Sequence, residues 1–188
     1  SNLTMPTGYE KDKLKAKASE DSSVIESKDF IHPSEPQSQL NAEYIKYTNL
    51  DNGFVDQIKT DYDKFDRLLD ALKKSETANY TQEDKENAVK EWNQYVETCV
   101  EYGHAINLSG FEYECTTKSD GSLRDMSTET QIDLRGVNGV GMSLQNVQNL
   151  NVNAKYGNLY GASFGNTTIT GNLEYANLEA SEIIKGET

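Results

Sequence analysis

Ile132-Asp133-Leu134-Arg135-Gly136-Val137-Asn138-Gly139-Val140-Gly141-Met142-Ser143-Leu144 opens a stretch of the chain that repeats in fives. Steps of five give Ile132, Val137, Met142, Val147 and Val152, an unbroken apolar column that continues through the small residues Gly157, Ala162 and Thr167. A second column lies two residues later: Leu134, Gly139, Leu144, Asn149, Ala154, Leu159, Phe164 and Ile169. After Ile169 the phase slips back by one. The inward set then resumes through Leu173, Ala176 with Leu178, and Ser181 with Ile183. A five-residue step matches neither the roughly 3.6-residue period of a helix nor the period of two of a flat strand. It suits a chain that turns a corner every few residues and stacks one pass on the next. Gly and Asn crowd the remaining positions, as tight corners need.

Gly161-Ala162-Ser163-Phe164-Gly165 and Tyr175-Ala176-Asn177-Leu178-Glu179 come closest to an Ala-(Asp/Asn)-Leu unit. In these units the last third of the chain resembles the pentapeptide-repeat family. The resemblance implies a quadrilateral β-helix with a small residue and a Leu or Phe inward in each five. The early column departs from that pattern, with Val and Met where the family prefers Ala, and with Gly139 and Asn149 at inward sites. Two other arrangements stay open: an intertwined β-fibre built from several chains, and a single antiparallel sheet with frequent turns.

Working back from the repeat, Ile106 to Cys115 has strand character. Phe111, Tyr113 and Cys115 alternate with Glu112 and Glu114, after a turn at Ser109-Gly110. Ser119-Asp120-Gly121-Ser122 is a polar loop leading into the repeat. Further upstream the period changes. Val55, Ile58, Tyr62, Phe65, Leu69 and Leu72 recur at steps of three and four, one stripe of a helix, and Asp51 or Asn52 is placed to cap it. Charged residues fill its other faces. Thr81-Gln82-Glu83-Asp84 offers a capping-box start for a second helix, whose stripe is Val89, Trp92, Val96 and Cys99, ending near Gly103. Two helices with a short link form an antiparallel hairpin. Each stripe is too short for a self-sufficient coiled coil, so the hairpin is expected to pack on something else, in this chain or in another copy.

The first fifty residues are polar, with a lysine-rich run over 11–17, an acidic stretch at Glu20–Ser23, and helix-breaking Pro33 and Pro36. The expected organisation is therefore α+β: an extended arm over 1–50, a helical hairpin over 51–104, short strands and a loop over 105–129, and a repetitive β segment over 130–188.

Composition limits the functions. Hydrophobic residues make up 35% of the 188 residues, lean for a single core of this length, so part of the chain is expected outside any core. A net charge of -13 argues against a nucleic-acid binder, which needs a basic face. No apolar run approaches the length of a membrane span, and Ser1-Asn2-Leu3-Thr4-Met5 does not begin a signal peptide.

Candidate chemistry is sparse. Cys99, His104 and Cys115 provide three possible metal ligands with no evident fourth, and His32 lies apart in the leader. Cys99 falls on an apolar stripe, a poor place for a nucleophile. Two buried free thiols are favoured over a disulfide, as expected in a cytoplasmic setting. Asp61, Asp63 and Asp66 lack the spacing of a calcium loop and are expected on a solvated helix face. No catalytic, cofactor or metal site is expected, and the chain is read as a non-enzyme.

Arm, hairpin and terminal β-stack together resemble the layout of a tailed-bacteriophage virion component, a head or tail fibre or its attachment part. That layout implies protein partners in a larger assembly, a homo-oligomer with a trimer preferred, and a virion assembled in host cytoplasm. A DNA-mimic member of the pentapeptide-repeat family is disfavoured, because residues 131 to 188 carry five carboxylates against three cations. A bacterial surface or secreted adhesin-like module is the other alternative.

Overall fold

In a computed structural model of the chain, residues 46, 47, 49 to 51 and 55 to 183 are described, and they form a mixed α+β protein. The arm expected over 1–50 lies outside the described residues except for its last few positions. Asn52 and His32 lie outside them too, as do the side chains of Val55 and Ile183.

Helix α1 spans Val55–Leu72 and helix α2 spans Gln82–Glu101. Their stripes face each other: Phe65, Leu69 and Leu72, joined by Leu68, pack with Val89, Trp92, Val96 and Cys99, and all are buried. The Phe65 and Trp92 rings lie 5.1 Å apart, centroid to centroid. Ile58 and Tyr62 are half-buried at the stripe's start. Asp84 fixes the entry to α2 by accepting from the Thr81 backbone N–H at 2.6 Å and from the Thr81 hydroxyl at 3.1 Å. Beyond its end, Gly103 takes a φ of +81° and donates to the Val100 carbonyl at 2.9 Å. The hairpin is closed at its base by Asp51, whose N–H donates to the Gly103 carbonyl and whose own carbonyl accepts from Ala105.

Seven short strands follow among the described residues: β1 (Glu112–Glu114), β2 (Ile132–Asp133), β3 (Ser143–Gln145), β4 (Leu150–Asn153), β5 (Ser163–Phe164), β6 (Ile169–Asn172) and β7 (Glu182–Ile183). They form two parallel sheets, ordered β1-β3-β5-β7 and β2-β4-β6. The pairing is parallel throughout, so the single antiparallel sheet is excluded. Ile132 pairs with Val152 and Ser143 with Ser163, twenty positions on. Leu150 pairs with Ile169 and Ser163 with Glu182, nineteen positions on. The first pass is longer: Glu112 pairs with Ser143, whereas Asp125 already pairs with Gln148. The difference is a polar excursion over 116–124, turned by Gly121 at a φ of +85°.

Both five-step columns point inward. Ile132, Leu134, Val137, Met142, Leu144, Val147, Val152, Leu159, Ala162, Phe164, Ile169, Leu173, Ala176 and Leu178 are all buried, together with Leu108, Phe111, Cys115 and Met126 from the first pass. The corners repeat in register too. Positive φ values recur at Gly136, Tyr156 and Tyr175, at Gly141, Gly161 and Ala180, and at Asn146 and Asn166. Two Asn series stitch them. Asn107, Asn138, Asn158 and Asn177 bridge from pass to pass, and each side-chain carbonyl accepts the backbone N–H two residues on. Asp133, Asn153 and Asn172 do the same at another corner. These side-chain turns satisfy backbone donors that a corner takes out of the sheets.

Two expectations about the columns need correction. Asn149 is not an inward residue: it takes a left-handed φ of 61° at an extra corner and donates to the Asp125 carboxylate at 3.1 Å, while its neighbour Leu150 is buried. The phase slip therefore precedes Ile169, which pairs with Leu150. Thr167 closes the shortened corner. Its hydroxyl donates to the Leu144 carbonyl at 2.8 Å and accepts from the Val147 N–H at 3.2 Å. A polar side chain that can do both replaces the residue the corner lacks.

Large side chains rarely accept a left-handed backbone, yet Tyr156 and Tyr175 have φ of 62° and 61°. Stacking offsets the strain. The rings of Tyr156 and Tyr175 are 5.4 Å apart and nearly parallel, and Tyr47 extends the pile at 5.8 Å. Gly136 occupies the equivalent corner one pass earlier, and a Cβ there would sit 2.9 Å from the Tyr47 carbonyl oxygen. A residue from before the hairpin thus fills the gap that Gly136 leaves in the tyrosine column.

Candidate functional site

The polar face of α2 meets the first edge of the β2-β4-β6 sheet, and side chains there do what a neighbouring strand would do. An edge strand leaves backbone N–H and C=O groups unpaired. Asn93 supplies both partners: its amide nitrogen donates to the Gln131 carbonyl at 2.9 Å, and its amide oxygen accepts from the Asp133 N–H at 2.8 Å. Trp92 adds its indole N–H, donated to the Asp133 carbonyl at 3.0 Å. One turn and more upstream, Glu86 accepts the N–H groups of Glu129 and Thr130 at 2.8 and 2.9 Å. Gln82 donates to the Ser127 carbonyl at 3.1 Å. Residues 82, 86 and 93 fall on one helical face at steps of four and seven, so one straight helix covers seven residues of extended chain.

Burial works to raise the Glu86 carboxyl, but the two backbone N–H groups and Gln82 outweigh it and hold it below its ordinary value of 4.5. A depressed acid contributes stability that is present above its unfolded value and lost as the pH falls through the folded one. Glu86→Gln keeps one acceptor and turns an amide N–H towards a second N–H. It is expected to cost about 1–3 kcal/mol at neutral pH and to flatten the acid limb of the stability curve. Thermal melts of both proteins from pH 3 to 7, on the order of one per half unit, measure this. Equal melting at neutral pH would remove Glu86 from the junction.

Behind this junction a carboxylate is sealed inside the hairpin. Asp61 is 0% exposed, which corrects its expected place on a solvated face. Its oxygens accept from the Gln57 amide at 3.0 Å, from the Tyr95 hydroxyl, and from the Asn107 backbone N–H at 2.8 Å. Burial pushes its carboxyl above the ordinary 3.8, against the pull of Tyr95, Asn107 and Gln57. Burial and the Asp61 charge together push the Tyr95 hydroxyl up. The sign is opposite to that of Glu86: the contribution of Asp61 is fullest below 3.8 and is lost as the pH rises through its raised value. Asp61 ties both helices to the first residues of the stack, because Gln57 is on α1, Tyr95 on α2 and Asn107 just beyond.

Cys99 and Cys115 are free and buried, and burial raises both thiols, the reverse of what a nucleophile needs. Gln57 donates to the Cys99 sulfur at 3.5 Å. Among the described residues no group of three or more His, Cys, Asp and Glu is placed to hold a metal ion, and no helix is long and apolar enough to cross a membrane.

The sequence columns and stripes thus converge on one continuous core from Tyr47 to Leu178. The residues that join hairpin to stack, Gln82, Glu86, Asn93 and Asp61, were not marked out by the sequence pattern. A weak signal was available: an amide and a carboxylate at steps of four and seven beside an apolar stripe. Comparison of the chain with family models, with curated proteins and with solved structures gives no match.

Proposed function

We propose that this chain is a non-enzymatic structural protein, a four-cornered β-coil of pentapeptide-repeat type whose first turn is closed by a helical hairpin. The near-twenty-residue register, the inward columns and the repeated Asn corners support a coil wound from one chain. They favour it over an intertwined fibre, since neighbouring strands in each sheet follow one another at nearly constant spacing along the chain. The polar side chains at the junction, Gln82, Glu86 and Asn93, hold backbone groups, and the two thiols are buried, which supports a structural role over a catalytic one.

The observation that carries the reading furthest is the difference between the two sheet ends. The β2 edge is capped by α2, whereas β6 and β7 stand last in their sheets among the described residues. An edge of this kind is covered by later residues or by another protein. The proposed role is attachment: the coil joins a larger assembly, as a head- or tail-fibre component of a bacteriophage virion. A bacterial surface module is the alternative setting. Self-association belongs to the same reading. Sedimentation of the full chain is expected to give a multiple of the chain mass, three copies in a fibre arrangement or two where the edges meet. A monomer at all concentrations, with the backbone amides of β6 and β7 as protected from exchange as those of β4, would overturn it.

A further inference from the structure

The described residues gather five cations at one place on an acidic chain. At the turn of the hairpin, a cleft of 310 Å³ is lined by Lys73, Lys74, Lys85, Lys118 and Arg124, with only Glu76 and Asp125 opposing them. The end of α1, the start of α2 and the 116–124 excursion each contribute. Like charges gathered this closely repel one another, and in a chain of net charge -13 there is no general excess of cations to explain them.

Lys85 makes the cleft more than a surface patch. It sits four residues before Val89, on the stripe that continues through Trp92, Val96 and Cys99, and it is only 6% exposed. The stem is buried and the ammonium opens on the cleft. Among the described residues no hydrogen bond or ion pair to its ammonium is found. The nearest influence is Asp125, whose carboxyl is lowered against burial by Asn149, by Ser127 and by the charge of Lys85. The rim residues are held by their neighbours. Arg124 donates from Nε to the Thr116 carbonyl at 2.9 Å, and Lys73 pairs with Asp70 at 3.1 Å. Lys74 lies over the Tyr80 ring.

We propose that this cleft binds a small, multiply charged oxyanion, a phosphate or diphosphate group carried by a soluble molecule, with Lys85 at its floor and Lys118 and Arg124 closing over it. Charge-assisted contacts from ammonium and guanidinium groups suit such an anion. The first turn of α2 adds the positive end of its dipole. The net charge of -13 disfavours an extended polyanion.

The test is calorimetric titration of the full chain with inorganic pyrophosphate at fixed ionic strength, paired with thermal melts. Saturable binding and a melting temperature that rises with pyrophosphate are expected for the native sequence. Lys85→Met keeps the buried stem and removes the charge, so binding should weaken by about tenfold or more. The unliganded variant should melt no lower than the native protein. Lys118→Gln, on the exposed loop, should weaken binding without touching the fold, and it carries the test if Lys85→Met does not fold. Absence of saturable heat, unchanged affinity in the foldable variants, or an equal shift from sodium chloride of matched ionic strength would each overturn the proposal. So would tighter binding of single-stranded DNA than of pyrophosphate.

Discussion

Leu69→Asp is expected to unfold the hairpin outright. Leu69 is fully buried between Phe65 and the α2 stripe, so the substitution forfeits the burial of a leucine side chain, about 2–5 kcal/mol. It also places a carboxylate among apolar side chains, at a further cost of several kcal/mol. A domain of this size has about 5–15 kcal/mol in total, so the loss exceeds what a small protein can absorb. Circular dichroism at 222 nm, the helix band, reads the result directly, and its expected outcome is loss of helicity at room temperature. Retained helicity with an unchanged melt would mean that the stripe does not face α2. Because Trp92 and Asn93 hold the β2 edge from the same helix, the first pass of the stack should loosen with it.

Gly171→Ala is expected to have the next largest effect, for a different reason. Gly171 has a φ of +117° and pairs with Val152 across two passes. A Cβ at this position would lie 1.9 Å from the Val152 carbonyl oxygen, a backbone atom that cannot rotate away. The strained conformation and the forced separation of β4 from β6 together should cost about 3 kcal/mol or more. The expected result is a fall of about 10 °C or more in melting temperature, with faster amide exchange at Asn151 to Asn153. Gly141, whose Cβ would meet nothing within 4 Å, supplies the control: there an alanine pays only for its positive φ. Equal melting of the two variants would show that the β4–β6 approach is not the cause.

The parts legible in the sequence share a physical origin. Inward positions of a stacked chain must be apolar or small at every pass, so Ile132, Val137, Met142, Val147 and Val152 announce the step. Helix stripes obey the same logic at another period, which is why Phe65, Leu69, Trp92 and Val96 meet as their spacing requires. What stayed hidden depends on partners far along the chain. Glu86 and Asn93 belong to a face that reads as solvated, because nothing local reveals that a sheet edge lies beside it. Asp61 follows the pattern of an exposed helix carboxylate, and Tyr95 and Asn107, tens of residues away, join Gln57 in making its burial tolerable. Lys85 continues the stripe of Val89 by spacing, yet its charge conceals the fact. Asn149 and Leu150 differ by one position, and the extra corner that decides between them is set by the pass below.

The Asn93 amide holds strand β2 as a neighbouring peptide group would, and this has a consequence for how the molecule comes to its shape. Helix α2 and its turn rely on contacts close along the chain, which form early and fast. Each pass of the stack, by contrast, offers little reward until the one beneath it is in place. A helix that presents the hydrogen-bonding pattern of a strand gives the first pass a surface to settle on and fixes which residue goes where. Winding then has a starting point and a direction, from the first pass towards Ile183, and a misplacement by five residues would be met at the first turn rather than inherited by every later one.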